Sequence, residues 1–276
     1  MRTWLITGVS SGFGRALAQL CLDRGDRVIG TLRNESQRAD FEALVPGRSF
    51  GVLLDVTRDT DVVRVINGIE QNVGAIDVLV NNAGYGFEST VEEASMSEVR
   101  AQFETNVFGA VAVIQAVLPS MRRRRSGHII NITSMGGIMT FPGLGIYHGS
   151  KFALEGITEA LGKEVADFGI KVIAVEPGGF RTDWAGRSMR RGDQHIADYE
   201  PLFAPLRQAR AERSGKQVGD PAKAAAAIYA IAGESNPPAH LLLGTDALSF
   251  VSTKIENLQT EIGRWAHVTT STDVSH

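Results

Sequence analysis

Apolar and polar positions alternate along this chain in one repeating unit. Short continuous apolar runs cover Thr3 to Thr7, Arg27 to Leu32, Ser49 to Leu54, Ile76 to Asn81, His128 to Thr133, Lys171 to Glu176 and His240 to Leu243, and longer amphipathic segments separate them. A run without period-two alternation suits a strand buried on both faces, and helices between such runs imply parallel crossovers. Seven of them predict an α/β fold, a doubly wound parallel seven-stranded sheet in a single domain over residues 1–267. The rhythm breaks twice. Residues 183–217 are polar and rich in Arg around Trp184, Met189, Tyr199 and Phe203, and a long insertion beyond a strand's carboxyl end predicts a substrate lid. A helical stretch then runs to about Trp265, and the Thr/Ser-rich residues 268–276 predict a flexible tail.

Composition narrows the classes. With 276 residues, 43% hydrophobic and 21% charged, the chain has enough apolar material for a large buried core. A formal net charge of -3 argues against nucleic acid as a partner. The basic run Arg122 to Arg125 follows an apolar helical pattern, where cations suit a helix C-terminus. Cys21 is the one cysteine, which excludes an internal disulfide, and it falls on the apolar side of a predicted helix as a buried thiol. The six histidines (128, 148, 195, 240, 267, 276) lack ligand spacing, so no metal site is expected. No segment reaches the roughly 18 apolar residues of a membrane span. Trp4-Leu5-Ile6 runs straight into a glycine-rich turn rather than reading as a secretory signal, so a cytoplasmic protein is expected.

That turn is "TGVSSGFG", Thr7 to Gly14, between the first strand and a helix. Gly8, Gly12 and Gly14, with Ser10, Ser11 and Phe13 between them, allow close backbone approach while the helix N-terminus offers N–H groups to a phosphate. The same letters contain "GVSSG", a nucleophile-elbow pattern, so a serine hydrolase acting through Ser10 is a rival reading. An elbow serine normally follows several strands, however, and here it would follow the first. The second strand ends "GTLRNE", where an NAD site would carry an acid; Leu32 and Arg33 stand there instead, and a guanidinium suits a 2′-phosphate, so NADP(H) is preferred over NAD(H).

Tyr147 and Lys151 in "YHGSK" lie at i and i+4 on a predicted helix, on one face. A nearby ammonium stabilises phenolate, so Lys151 is expected to lower the Tyr147 pKa from about 10. His148, one residue on, is rotated away and expected to be a bystander. Ser134, at the end of "HIINITS", can donate to a substrate oxygen.

These residues, with "NNAG" (Asn81 to Gly84), Asn106 in "ETNVFG" and "PGGFRT" (Pro177 to Thr182), resemble the short-chain dehydrogenase/reductase family, in register over residues 3 to about 245. The resemblance implies a Rossmann-like fold and nicotinamide-dependent oxidoreduction of carbonyls and alcohols. It implies Tyr147 as proton donor or acceptor, Lys151 as its partner and ribose ligand, Ser134 on the substrate oxygen and Asn106 in a proton relay. It extends the cofactor set to Asp55 and Val56 near the adenine, to Asn82, Ala83 and Gly84, and to Pro177, Gly178, Phe180 and Thr182 near the nicotinamide. The "LLLGTDALSFV" ending is closer to steroid- and retinol-type dehydrogenases, which favours a homodimer over a tetramer. Met135, Ile138, Met139, Phe141 and Trp184 point to a hydrophobic carbonyl or alcohol, while lid arginines 187, 190, 191, 207 and 210 could meet an acidic substrate group. The remaining alternative is a sensor that binds NADPH without turning it over.

Overall fold

The computed structural model describes residues 1–182, 184, 186 and 188–274. All seven apolar runs form strands: β1 (Thr3–Ile6), β2 (Arg27–Leu32), β3 (Ser49–Leu53), β4 (Val78–Asn81), β6 (Gly127–Ile132), β7 (Ile170–Pro177) and β9 (His240–Leu243). Among the described residues they make one parallel sheet in the order β3-β2-β1-β4-β6-β7-β9. The chain therefore winds outward from β1 in both directions, a Rossmann-like arrangement.

Both faces of the sheet are covered, which is why the strands read as continuous apolar runs. Trp4 and Ile6 of β1 face a core built with Leu17, Cys21 and Leu22 of α1 (Gly12–Asp23), Phe41 of α2 (Glu35–Glu42) and Ile228 of α8 (Pro221–Ile231). Leu5, between them, faces the opposite core with Val62 and Ile66 of α3 (Asp59–Asn72), Val113 and Val117 of α5 (Gly109–Arg124) and Leu161 of α6 (Gly145–Val165). Cys21 is fully buried, and burial pushes its thiol far above the usual range, so it has no nucleophile's environment.

Four features depart from the sequence reading. Two three-residue strands, β5 (Gly86–Glu88) and β8 (Met189–Arg191), pair in a small second sheet. The expected lid is built rather than loop-like, since it carries β8 and the helix α7 (Glu200–Arg213). Arg187 of that segment, and Ser275 and His276 of the expected tail, lie outside the described residues. The last helix, α9 (Thr245–Thr270), continues past Trp265 into that tail. Finally, the helical run Met96–Arg124 reaches the length and mean hydropathy (1.3) of a membrane span. Val113, Ile114, Val117 and Met121 of this run are buried in the core, which accounts for its apolar character. A π-turn at Glu104–Phe108 interrupts it between α4 (Met96–Phe103) and α5.

Candidate active site

The carboxyl ends of β1, β2, β4, β6 and β7 lead into one cleft of about 1240 Å³, at the point where the strand order reverses. Ligands of doubly wound sheets gather there.

Its first wall is the glycine-rich turn. Gly8 and Gly12 have φ of +73° and +59°, a backbone that side chains resist. Gly14 turns away from the cleft: a Cβ there would lie 2.3 Å from the Gly8 carbonyl oxygen and 2.5 Å from Asn82 Nδ2. Asn82 locks the turn to β4, its Nδ2 donating to the carbonyls of Thr7 and Gly8 at 2.9 Å each. Thr7 Oγ1 answers by accepting the N–H groups of Asn82 and Ala83, also at 2.9 Å. Ser11 precedes α1 without a capping side-chain hydrogen bond, and no acid stands in the first turn, so the helix end keeps N–H groups and positive dipole for an anion. Ser10, Ser11, Gly12, Phe13, Arg33, Asp55, Val56, Ala83, Gly84, Pro177, Gly178, Phe180 and Thr182 all line the cleft. Leu32 is buried beside Arg33, so a guanidinium and no carboxylate closes β2. This donor set suits the phosphates of a dinucleotide.

The second wall carries the groups singled out for chemistry. Tyr147 and Lys151 sit one turn apart on α6, both buried. Ser134 follows β6 in extended backbone, its Oγ accepting the Gly136 N–H at 2.9 Å. The Tyr147 ring packs against the Trp184 indole, centroids 5.3 Å apart, and Ser134 lines the same cleft. Burial pushes the Tyr147 phenol up to about 12, and the polar groups of Ser134 and Trp184 only partly oppose it. Burial also takes Lys151 down to about 8, against the charge of Glu155. Lys151 Nζ donates to the Ile132 carbonyl at 2.8 Å and lies 5.9 Å from the Tyr147 ring centre. The direction is opposite to the expected lowering, because withdrawing a phenolate from water is the dominant cause.

His148 is not a bystander. Its Nε2 accepts the Phe141 N–H at 3.0 Å, so Nδ1 carries the proton and donates to the Gly136 carbonyl at 2.9 Å. It pins to α6 the loop that positions Ser134. Asn106 lies in the π-turn, fully enclosed. Its Oδ1 accepts the Tyr85 N–H, and its Nδ2 reaches the Tyr85 carbonyl and Ser150 Oγ, all at 3.1 Å. It therefore clamps the segment after β4 to α6; π-turns are often found at functional sites. Met135 and Trp184 face the cleft, whereas Met139 is buried and does not, because the turn at residues 135–137 carries it inward.

The model of the short-chain dehydrogenase family, adh_short, matches residues 2–191. The chain belongs to this family. It is 40% identical to a 3-ketodihydrosphingosine reductase of Bacteroides thetaiotaomicron, over 87% of each chain. It is 35% identical to bovine (Bos taurus) retinol dehydrogenase 8, over 86% of this chain and 80% of that one. Among solved structures, a short-chain dehydrogenase from Streptomyces avermitilis is 41% identical with a TM-score of 0.92, covering 99% of this chain and 98% of the other. ElxO with NADP bound matches at 27% identity and a TM-score of 0.74, over 90% of this chain and 99% of that one.

Within this short-chain dehydrogenase the described lid arginines have protein partners. Arg210 and Arg191 both pair with the buried Glu88 of β5, Arg191 at 3.3 Å. Arg210 also donates to the Pro142 carbonyl at 2.7 Å. Arg207 meets Glu200 at 2.8 Å, and Arg190 lies 4.5 Å from the Tyr85 ring centre. Phe250 of α9 lines the cleft and meets Phe141 edge-on at 5.5 Å; nothing in the local sequence marked it.

One polar cluster lies behind α6. Residues 155, 176 and 240 were not connected in the sequence, where no metal site was expected, yet the fold brings potential ligand atoms of Glu155, Glu176 and His240 within 4.8 Å of one another. His240 Nδ1 is 3.0 Å from Glu155 Oε1 and 2.8 Å from Glu176 Oε1. Burial pushes Glu176 up to about 8, and the His240 imidazole beside it opposes the rise.

Proposed function

We propose that this enzyme reduces hydrophobic carbonyl compounds with NADPH, and that Tyr147 delivers the proton. The observation that carries this reading is the buried Tyr147, packed against Trp184 and sharing with Ser134 a cleft whose other end is a glycine-rich helix N-terminus. The chemistry supplied by a bound nicotinamide is hydride transfer to the carbonyl carbon. Ser134 and Tyr147 hold the carbonyl oxygen and polarise it. A phenol raised to about 12 stays protonated at neutral pH, so Tyr147 is a donor ready for the alkoxide oxygen. The phenolate left behind is steadied by Lys151, which remains mainly an ammonium at pH 7. Asn106 and Ser150 keep α6 and the Tyr85 segment in register around these groups.

Arg33 and the uncapped α1 N-terminus support NADP(H) over NAD(H), as does the NADP-bound relative. Trp184, Phe141, Leu144 and Met189 make an apolar pocket against Tyr147. Relatives named for a 3-keto sphingoid base and for retinol act on compounds of that hydrophobic kind, which favours an extended aliphatic carbonyl substrate. Because the described lid arginines are engaged by Glu88, Glu200 and Tyr85, an acidic substrate group is not required to explain them. A cytoplasmic location and a single domain with its lid belong to the same reading. The test is NADPH consumption across hydrophobic aldehydes and ketones, beside Tyr147→Phe. Turnover should fall at least a hundredfold in the variant with NADPH affinity unchanged. Equal turnover by Tyr147→Phe would remove Tyr147 from the chemistry, and NADPH binding without turnover of any compound would favour the sensor.

A further inference from the structure

α9 leaves the body of the molecule. Every described residue from 252 to 274 is exposed, and no other element covers them. Yet this helix is not polar all round. Leu248, Val251, Ile255, Leu258, Ile262 and Trp265 follow one another at spacings of three and four, the seam of a coiled coil. Val251 is buried at the root of the helix, while Leu248, Ile255, Leu258, Ile262 and Trp265 are 44 to 60% exposed. A sustained apolar seam of this length in water marks an interaction surface. The crystal structure of the Streptomyces avermitilis relative matches over 99% of this chain, so the projecting helix falls within the matched span.

Charge identifies the occupant. In the heptad register with Leu248, Ile255 and Ile262 at a, the residues flanking the seam at g are Lys254 and Glu261. Parallel pairing would set Lys254 against Gln259 and Glu261 against Ala266, with no complement. Antiparallel pairing that stacks Ile255 on the other copy's Leu258 sets each Lys254 against the other copy's Glu261, twice by symmetry. A lipid surface fits poorly, because α9 carries Lys254 and Arg264 against Asp246, Glu256 and Glu261, whereas interfacial helices are rich in cations.

We propose that α9 pairs with α9 of a second copy of this chain, as a two-fold antiparallel coiled coil. The pairing sets the second copy's Trp265 on Leu248, in the first turn of α9.

The test is sedimentation of the full chain at micromolar concentration, a readout independent of turnover. Ile255→Asp/Ile262→Asp should halve the mass of the wild-type particle, with the circular dichroism of the body retained. Lys254→Glu, which sets glutamates against glutamates, should raise the dissociation constant at least tenfold, and Lys254→Glu/Glu261→Lys should restore it. Cysteines at both 254 and 261 should form an interchain disulfide on oxidation, while Lys254→Cys alone should not. Cys21 is buried and silent, and two positions seven apart on one helix are about 10 Å apart, too far to bridge within a chain. A mass unchanged by the Asp variant, a monomeric wild type, equal cross-linking by Lys254→Cys alone, or a monomer that co-sediments with phosphatidylcholine/phosphatidylglycerol vesicles would each overturn the proposal.

Discussion

At the end of β2 a single buried leucine and a single cleft-facing arginine stand where a dinucleotide's ribose would be read. Replacing Arg33 by Ala should weaken NADPH roughly 10- to 100-fold, the loss of a charge-assisted hydrogen-bond pair, and NADH less than threefold. Fluorescence titration of both cofactors checks it; equal losses would remove Arg33 from cofactor choice. Glu176 is a second residue whose surroundings set a measurable behaviour. Its carboxyl is raised in the fold from about 4.5 to about 8, so the folded state holds a proton that the unfolded chain has released across that window. The folded state therefore loses this contribution as pH rises from 4.5 through 8. Glu176→Gln keeps the neutral shape and should flatten the fall of Tm over that range. His148 works in the opposite sense, its lowered pKa disfavouring the fold as pH drops below about 6.5. It is common to both proteins and cancels, whereas His240, whose pKa Glu176 holds up, changes with the substitution, so the difference reports the Glu176–His240 pair.

The elements that came through cleanly from the sequence are those whose environment is the same along their length. β1, β2 and β7 are enclosed on both faces, and unbroken apolar runs carry that mark. β5 and β8 have three residues each and exist only because they meet each other across a separation of about a hundred residues, which leaves no local period to read. They matter to the site. β5 presents Glu88 beneath Arg191 and Arg210, which ties the lid helix α7 to the sheet side of the cleft. Glu88→Gln should weaken both ion pairs, leave the half-buried Arg210 poorly matched and lower Tm by several degrees, at about 2–4 °C per kcal/mol for a domain of this size. The Michaelis constant for a hydrophobic carbonyl should rise more than kcat falls. A kcat loss with unchanged KM would mean the latch serves the chemistry rather than the lid.

For the molecule as a whole, both helical layers pack on one sheet, and the N-terminal strand meets α8, more than 200 residues on. The Arg2 guanidinium donates to the Ala232 carbonyl at 2.8 Å, and Trp4 stacks on Tyr229 at 5.5 Å. Unfolding should therefore be one cooperative event, with aromatic and far-ultraviolet circular dichroism losing signal at the same urea concentration. Two separated transitions would divide the domain.

The chain's linear pattern was sufficient for the seven-stranded sheet and the family, and it named Tyr147, Lys151 and Ser134, which the fold sets on one cleft. Periodicity, turn glycines and motif spacing are short-range quantities, and they are written in consecutive residues. The direction of the Tyr147 pKa was not readable that way, because it depends on how much water the completed fold removes from a phenol. Nor were the anchoring of the Ser134 loop by His148, the meeting of Glu155, Glu176 and His240, or the turning of Met139 and Gly14 away from the cleft. Each is set by distances between residues remote along the chain or by a local turn that re-aims a side chain, and the closed tertiary structure supplies those distances.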